Sequence, residues 1–237
     1  MTASLLTKPA QAIHYPDSDG KPMAENTLQF RWIVTIQGGF DALYRDDPNV
    51  FVAGDLLWYP VEGHPEIRQA PDALIVFGRP KGYRGSYIQH REGGIAPQVV
   101  FEVLSPGNTI GEMTRKLLFY QRYGVEEYYL YDPDHGRLEG WIAQEGQFEE
   151  IAQMQGWVSP RTSVQFALDG TELLLTRPDG QRFKSYLELD QERMDAEAAR
   201  ADAEAARADA EAARVAAESR VAYLVERLRA AGIDPDG

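Results

Sequence analysis

The 237-residue sequence contains no cysteine and no apolar run long enough to form a signal peptide or to cross a membrane. The lack of cysteine excludes disulfide bonds and thiolate metal sites, and it fits the reducing cytoplasm. The four histidines do not have metal-ligand spacing, which argues against a zinc site. Neither a GxxxxGK[ST] loop nor a GxGxxG motif is present, so nucleotide-driven chemistry has no support. We therefore expect a cytoplasmic protein without a membrane segment.

Basic residues are fewer than acidic residues in this sequence. The net charge is −13, of which residues 1–184 carry −7 and the remainder −6. Passive DNA-binding modules are usually basic, because phosphate contacts supply most of their affinity. Any contact with nucleic acid would therefore depend on a local basic patch or on bound metal ions.

Glycine and proline are absent from residues 185–231, a segment rich in Ala, Asp, Glu and Arg. Apolar and turn-forming residues are instead spread through residues 25–184, a length that can bury one sizeable core. We predict a flexible N-terminal arm at 1–24, one compact domain at 25–184, an alanine-rich helix at 185–231 and a short tail at 232–237.

Within the compact domain, helical periodicity predicts a helix over 26–40 that ends at Gly38-Gly39, and a second over 110–123 that ends at Gly124. Short apolar runs bounded by turn residues predict strands at 50–53, 56–59, 73–77, 99–104, 127–131, 138–142, 148–151, 164–167 and 172–176. This order is typical of a mixed α/β fold and not of regular βαβ repeats.

The alanine-rich segment repeats the heptad DAEAARA from Asp195, again from Asp202, and as DAEAARV from Asp209. Alternating intervals of four and three, the spacing of a coiled coil, separate Met194, Ala198, Ala201, Ala205, Ala208, Ala212 and Val215. A stronger apolar stripe follows at Val221, Leu224 and Leu228. We expect a homodimer through a C-terminal coiled coil. A solvated single helix is the alternative, because alanine favours helix without a partner and buries little area.

Two carboxylates stand at unusual places in the predicted strands. Asp72 directly precedes an apolar strand, and Glu102 lies inside another, where an unpaired charge would be costly. Carboxylates from neighbouring strands can converge on Mg²⁺, which prefers one or two of them and leaves its other positions to water and phosphate. Lys116 on the following helix could reach back and stabilise charge on phosphorus. These groups and a metal form a minimal set for phosphodiester hydrolysis.

The segments around these residues resemble the Uma-two family of restriction-endonuclease-like proteins. The likeness is carried by APD at 70–72, PQVVFEVLSPGNT at 97–109, Lys116 and FYQRYGVEEYYLYDPD at 119–134, with VAGDLLWYPVEG at 52–63 resembling a subgroup. The resemblance implies the PD-(D/E)xK nuclease fold, a mixed sheet flanked by helices. It also implies a DNA endonuclease that depends on Mg²⁺ or Mn²⁺.

Carried over by position, Asp72 matches the Asp of the PD element and Glu102 the second acidic residue. The resemblance thus makes Asp72 and Glu102 metal ligands and makes both, with Lys116, the catalytic set. The usual Lys two residues after the second acid is replaced by Leu104, and Lys116 takes its place from the next helix. This departure supports the alternative of a catalytically weak or inactive nuclease-fold protein that acts in binding or assembly through its coiled coil.

Each residue of the expected catalytic set could also have a purely structural role. Asp72 would be a turn residue, Glu102 would pair with Arg115 or Arg122, and Lys116 would be solvated. Further carboxylates and polar residues could approach the site or simply serve turns and helix ends; they are Glu25, Asp55, Asn108 and Glu112. We favour a helix-capping role for Glu25.

Residues 79–91 form a basic stretch with interleaved tyrosines and no acid. Its candidate DNA contacts are Arg79, Lys81, Arg84 and Arg91. Cations with aromatic rings suit a nucleic-acid backbone and its bases, whereas an ordinary polar surface loop is the alternative.

Overall fold

The computed structural model of the chain describes residues 13–18, 20, 22–232 and 234. It divides into two compact units, Met1–Ser185 and Tyr186–Gly237. Most of the predicted N-terminal arm lies outside the described residues. Its later part is packed, because Tyr15 is buried against Tyr59 and its hydroxyl accepts a hydrogen bond from the Gly63 amide at 2.8 Å.

The chain forms three α-helices and ten strands within its described part. The helices are α1 (Thr27–Leu43), α2 (Ile110–Arg122) and α3 (Tyr186–Ala230). The strands are β1 (Val50–Ala53), β2 (Trp58–Tyr59), β3 (Ala73–Phe77), β4 (Tyr87–Ile88), β5 (Val99–Val103), β6 (Glu127–Asp132), β7 (Arg137–Gln144), β8 (Gln147–Glu150), β9 (Gln165–Asp169) and β10 (Glu172–Thr176). Among these helices, none is both long enough and apolar enough to pass through a bilayer.

A six-stranded mixed sheet with the order β1-β3-β5-β6-β7-β8 is the centre of the first unit. Strands β5 and β6 run parallel, and every other neighbouring pair in this sheet is antiparallel. Both β5 and β6 are buried along their whole length, which explains why they are continuous apolar runs in the sequence. The expected mixed α/β fold, with a sheet flanked by helices, is therefore confirmed.

The two faces of this sheet pack against different partners. Phe101 and Tyr129 point to the face covered by α1 and by the β9–β10 hairpin, where Phe166 stacks on both rings. Val100 and Tyr128 point to the opposite face, where they pack with Tyr120 of α2. Since side chains alternate along a strand, Glu102 lies on the α2 face.

Helix α1 differs from its predicted form, because it continues through Gly38-Gly39 and ends at Leu43. Asn26 is its N-cap and accepts a hydrogen bond from the Gln29 amide at 2.8 Å. The structure explains Gly39 by packing: a Cβ there would stand 2.2 Å from the Phe183 ring. Gly124, by contrast, follows α2 at a φ of 89° and ends that helix as predicted.

The predicted strand at 56–59 is shorter than expected. Only Trp58 and Tyr59 form a strand, and they pair in parallel with β4 in a separate two-stranded sheet. Strand β4 lies inside the basic stretch at 79–91, which is therefore partly a strand and not wholly a surface loop.

Helix α3 is a continuous helix of 45 residues without a buried residue. The predicted long C-terminal helix is thus confirmed, with its start at Tyr186.

The adjacent glycines of α1 give a matched test of the packing. We expect Gly39→Ala to lower the free energy of unfolding by about 1–3 kcal/mol, because the new methyl group must displace the Phe183 ring. Gly38→Ala meets no atom within 4 Å and should stabilise α1 by about 0.5–1 kcal/mol. Chemical denaturation of both variants measures the difference, and equal effects at the two positions would contradict the packing role of Gly39.

Candidate functional site

Strands β3 and β5 bring the first two candidate residues together. Their antiparallel register pairs Ala73 with Phe101, so one further step places Asp72 opposite Glu102. The Asp72 carboxylate accepts a hydrogen bond from the Val103 amide at 2.6 Å, which fixes it beside the end of β5. Asp72 and Glu102 are both buried, with 8% and 2% exposure.

Helix α2 supplies the third candidate residue. The Lys116 ammonium donates to Glu102 Oε2 at 2.7 Å, and its side chain is only 15% exposed. The Tyr120 hydroxyl, one turn further along α2, donates to Glu102 Oε1. Thus the ion-pair partner of Glu102 is Lys116, in place of Arg115 or Arg122, and Lys116 is not a solvated helix residue. Asp72, Glu102, Lys116 and Tyr120 are hereafter the carboxylate cluster.

The pKa values of Asp72 and Lys116 in the carboxylate cluster are shifted by burial and by the neighbouring charges. Burial raises the pKa of Asp72 well above its usual value, and the neighbouring Glu102 carboxylate raises it further. Burial alone would lower the pKa of Lys116, but attraction to Glu102 and Asp72 outweighs it and leaves this pKa raised. Lys116 is therefore a stable ammonium group and not a proton acceptor at neutral pH.

A cleft of about 660 Å³ gives access to this cluster. Both Asp72 and Lys116 line the cleft, whereas Glu102 does not line it. Three other acids contribute to its wall, namely Glu25, Asp55 and Glu112, together with Arg115. The charged residues of the cleft wall are therefore four acids and two bases.

The additional residues at the cleft have defined roles in the fold. Glu25 does not cap α1; its carboxylate accepts a hydrogen bond from Ser105 Oγ at 2.5 Å. Asn108 Oδ1 accepts from the Ser105 amide at 2.9 Å and holds the turn after β5. Asp55 has a left-handed backbone with φ of 46°, which fits its predicted place in a turn.

Sequence reasoning missed Tyr120 as a partner of the cluster. Its spacing from Lys116 contained a signal, because residues four apart on a helix share one face. In the sequence, however, Tyr120 shares an apolar helical stripe with Met113 and Leu117, which equally predicts a core residue. The structure shows that it does pack against Trp58 and Tyr128.

The oxygen donors of the cluster fit a hard divalent cation. Two adjacent buried carboxyl groups share one ammonium group, and a cation beside Asp72 would relieve the crowding that raises the pKa of Asp72. Among the described residues, however, no three His, Cys, Asp or Glu side chains are grouped as a complete metal site. A cation here would therefore take Asp72, with Glu102 behind it, and fill its other positions with water and phosphate oxygens.

The family model named Uma2, with the description "Putative restriction endonuclease", matches residues 21–175. The chain belongs to the Uma2 family. A solved structure from Anabaena variabilis ATCC 29413, described as a "putative nuclease belonging to DUF820", is similar at 16% identity and a TM-score of 0.43. The similarity covers 60% of this chain and 78% of that one. No curated protein matches the chain.

In this Uma2 chain, two arginines of the basic stretch belong to an internal ion pair. Both Arg79 and Arg84 donate to the Glu92 carboxylate, at 2.8 and 2.7 Å. The Arg84 guanidinium also lies 4.0 Å from the centre of the Phe51 ring. The partner acid, Glu92, comes one residue after the stretch and was outside the pattern considered in the sequence.

The other two cations of the stretch are placed differently. Lys81 pairs with Asp41 at 3.3 Å, and the Arg91 guanidinium lies 5.3 Å from the centre of the Tyr15 ring. None of the four predicted DNA contacts is among the residues that line the cleft beside Asp72. The structure therefore does not bring this stretch together with the carboxylate cluster.

A second cavity, of about 510 Å³, lies on the other side of α2. Its walls include Leu117, Leu130 and Trp141, with Asp132 and His135 joined at 2.8 Å. Neither Asp72 nor Lys116 borders it. Asp72 and Lys116, which the sequence singled out, therefore lie at the first cleft.

The Glu92 ion pair predicts a pH-dependent stability. Hydrogen bonds from Arg84 and then Arg79 lower the pKa of Glu92, against the opposing effect of burial. A carboxyl group with a lowered folded pKa stabilises the fold above its unfolded pKa, and loses that contribution as pH falls through the folded pKa. Glu92→Gln should thus cost about 1–3 kcal/mol at neutral pH, and this cost should shrink as pH falls below about 4.5 and disappear once pH is below the lowered folded pKa of Glu92.

Denaturation of both proteins at a series of pH values measures this difference. The exposed Glu149→Gln is the matched control and should have almost no effect at any pH. A cost at Glu92 that stays constant from neutral pH into strong acid would contradict an ionised partner for the two arginines.

Proposed function

We propose that the carboxylate cluster catalyses metal-dependent hydrolysis of phosphodiester bonds in DNA. The observation that carries this proposal is the meeting of Asp72, Glu102 and Lys116, from three separate elements, beside one open cleft. Membership in Uma2 supports a nuclease, since the family description names a restriction endonuclease. Nucleases of the restriction-endonuclease type generally use divalent metals, here proposed as Mg²⁺ or Mn²⁺.

Each residue has a separate task in this proposal. Asp72, which is itself fixed by the Val103 amide, would hold the cation at the cleft wall. A cation bound there would supply a polarised water and positive charge beside the reacting phosphate. Lys116, protonated and partly buried, donates to the phosphate oxygen on which negative charge develops. Tyr120 is a positioning residue, because it fixes the Glu102 carboxylate without lining the cleft.

Two observations favour a second function, that of a catalytically weak or inactive protein that acts in binding or assembly. Both Glu102 oxygens already accept hydrogen bonds, from Lys116 and Tyr120, and Leu104 stands where the usual lysine would be. With these bonds in place, Glu102 balances the charge of Lys116 and has less negative charge to offer a cation. The carboxylate cluster would then be a structural network inside an inherited fold.

Plasmid cleavage separates the two functions. With Mg²⁺ or Mn²⁺, the full chain should nick supercoiled DNA, and a chelator should stop the reaction. Asp72→Asn and Lys116→Ala should each lower the rate by roughly 10²–10³-fold, because they remove a cation ligand and a charge donor. Arg45→Ala, at an exposed pair with Asp46, is the control and should leave the rate unchanged.

A second readout tests the cation independently of cleavage. Mn²⁺ should raise the melting temperature of the full chain, and Asp72→Asn should abolish that shift while circular dichroism shows an intact fold. A metal-dependent shift without nicking by any metal would favour the binding protein. Absence of both would refute the proposed metal-dependent nuclease.

We also propose that α3 joins two copies of the chain, as its heptads indicate. Two nuclease units in one assembly suit cleavage of both DNA strands. The average mass of the full chain, measured by sedimentation from low to high micromolar concentration, should rise from one copy towards two. A Leu224→Asp, Leu228→Asp double variant should remain at one copy, because charge replaces two exposed leucines of the apolar stripe near the helix end. A single-copy mass for the unmodified chain at all concentrations would rule out this dimer.

A further inference from the structure

Helix α3 carries two alanine stripes on different faces. The first alanine stripe contains Met194, Ala198, Ala201, Ala205, Ala208, Ala212 and Val215. The second alanine stripe contains Ala196, Ala199, Ala203, Ala206, Ala210, Ala213 and Ala217. Both have intervals of three and four, so spacing alone does not decide which of them meets a second copy.

Continuity with larger apolar residues distinguishes the stripes. After Ala217, where two intervals of four follow each other, the second stripe continues through further large apolar residues. These are Val221, Leu224 and Leu228, and they are 61%, 49% and 39% exposed. In the first stripe, by contrast, the position four residues after Val215 is the polar Ser219. The helix therefore presents its longest apolar face along the second stripe.

The charges that border the first stripe oppose its self-association. Each heptad places an aspartate on one side, such as Asp202, and a glutamate on the other, such as Glu197. Across a parallel pair these two residues would face each other, and an antiparallel pair would bring together Asp with Asp and Glu with Glu. Like charges meet in both orientations, which destabilises either dimer.

The charges that border the second stripe are complementary in one orientation only. An acid stands on one side of the stripe in each heptad, and an arginine stands five residues further on the other side. The four pairs are Glu188 with Arg193, Asp195 with Arg200, Asp202 with Arg207, and Asp209 with Arg214. In a parallel, in-register dimer each acid would face the arginine of the second copy, whereas an antiparallel dimer would bring like charges together.

Contacts within the helix are compatible with this arrangement. Arg214 bonds to Glu211 and Glu218, and Arg193 bonds to Asp190 and Glu197. These acids lie on the outer side of each arginine, away from the second alanine stripe. The arginines are thus already held at the border of the stripe, where the acids of a second copy would be added.

We propose that two copies of the chain associate in parallel and in register through the second alanine stripe and its extension to Leu228. This inference rests on the dimer proposed above and adds its face and its direction. Each nuclease unit is joined to the N-terminal end of its helix, so both units would be attached at the same end of the coiled coil. An antiparallel pair would place those attachment points roughly 67 Å apart, the length of a 45-residue helix.

Single cysteines test the face and the direction, because the chain has none of its own. Under mild oxidation, Ala196→Cys and Ala210→Cys should each form a covalent dimer, since identical positions on the stripe meet in a parallel pair. Ala198→Cys and Ala212→Cys, two residues further and on the first stripe, are the matched controls and should link at least tenfold less. Linkage of the controls instead, or of only one of the two test positions, would overturn the proposal.

Charge exchange provides the second measurement. Reversing Arg200, Arg207 and Arg214 to Glu should weaken self-association by roughly tenfold or more, as should reversing Asp195, Asp202 and Asp209 to Arg. Mixing the two variants should restore association, because every bordering pair again joins opposite charges. A mixture that associates no better than its components would overturn the parallel pairing. A chain that sediments as one copy before any substitution would instead overturn the dimer itself.

Discussion

The burial of Glu102 is the constraint on which the candidate site depends. A carboxylate in the middle of a fully buried strand is costly unless it is paired, and both of its oxygens here accept hydrogen bonds from α2. These bonds set the position of Lys116 and Tyr120 and hence the rotation of α2 on the sheet. The same strand then fixes Asp72 through the Val103 amide, so the fold and the cleft share one hydrogen-bond network.

The composition of this hydrogen-bond network suits catalysis as well as the stability of the fold. A simple buried ion pair would need one acid and one base, yet Asp72 adds a second carboxyl group and opens onto the cleft. An apolar residue in place of this extra acid would pack equally well and stabilise the fold at least as much. Its presence is reasonable if a cation or a phosphate group completes the charge balance, which is the basis of the proposed nuclease.

Local patterns in the sequence predicted the elements whose character is set locally. Strands β3, β5 and β6 were recognised as apolar runs, and α2 was recognised from its periodicity and from Gly124. Distant contacts decided the features that local patterns did not reveal. Gly39 is inside α1 because Phe183 packs against it, and Arg79 and Arg84 face Glu92. The grouping of Asp72, Glu102 and Lys116 was suggested by their places on strands and helix, and the family resemblance supported it, since each residue alone has an ordinary structural interpretation.

Helix α3 shows the limit of pattern reasoning in a different way. Its four alanines per heptad create two stripes with the same spacing, so a heptad search finds a seam on either face. Alanine contributes little buried area, and the difference between the faces must come from the residues at their borders and ends. Because the borders of the first stripe are acidic on both sides, its self-association is opposed in every orientation. The charge pattern and the large apolar residues beyond Ala217 therefore favour the same face of α3, and the charge pattern also favours parallel helices.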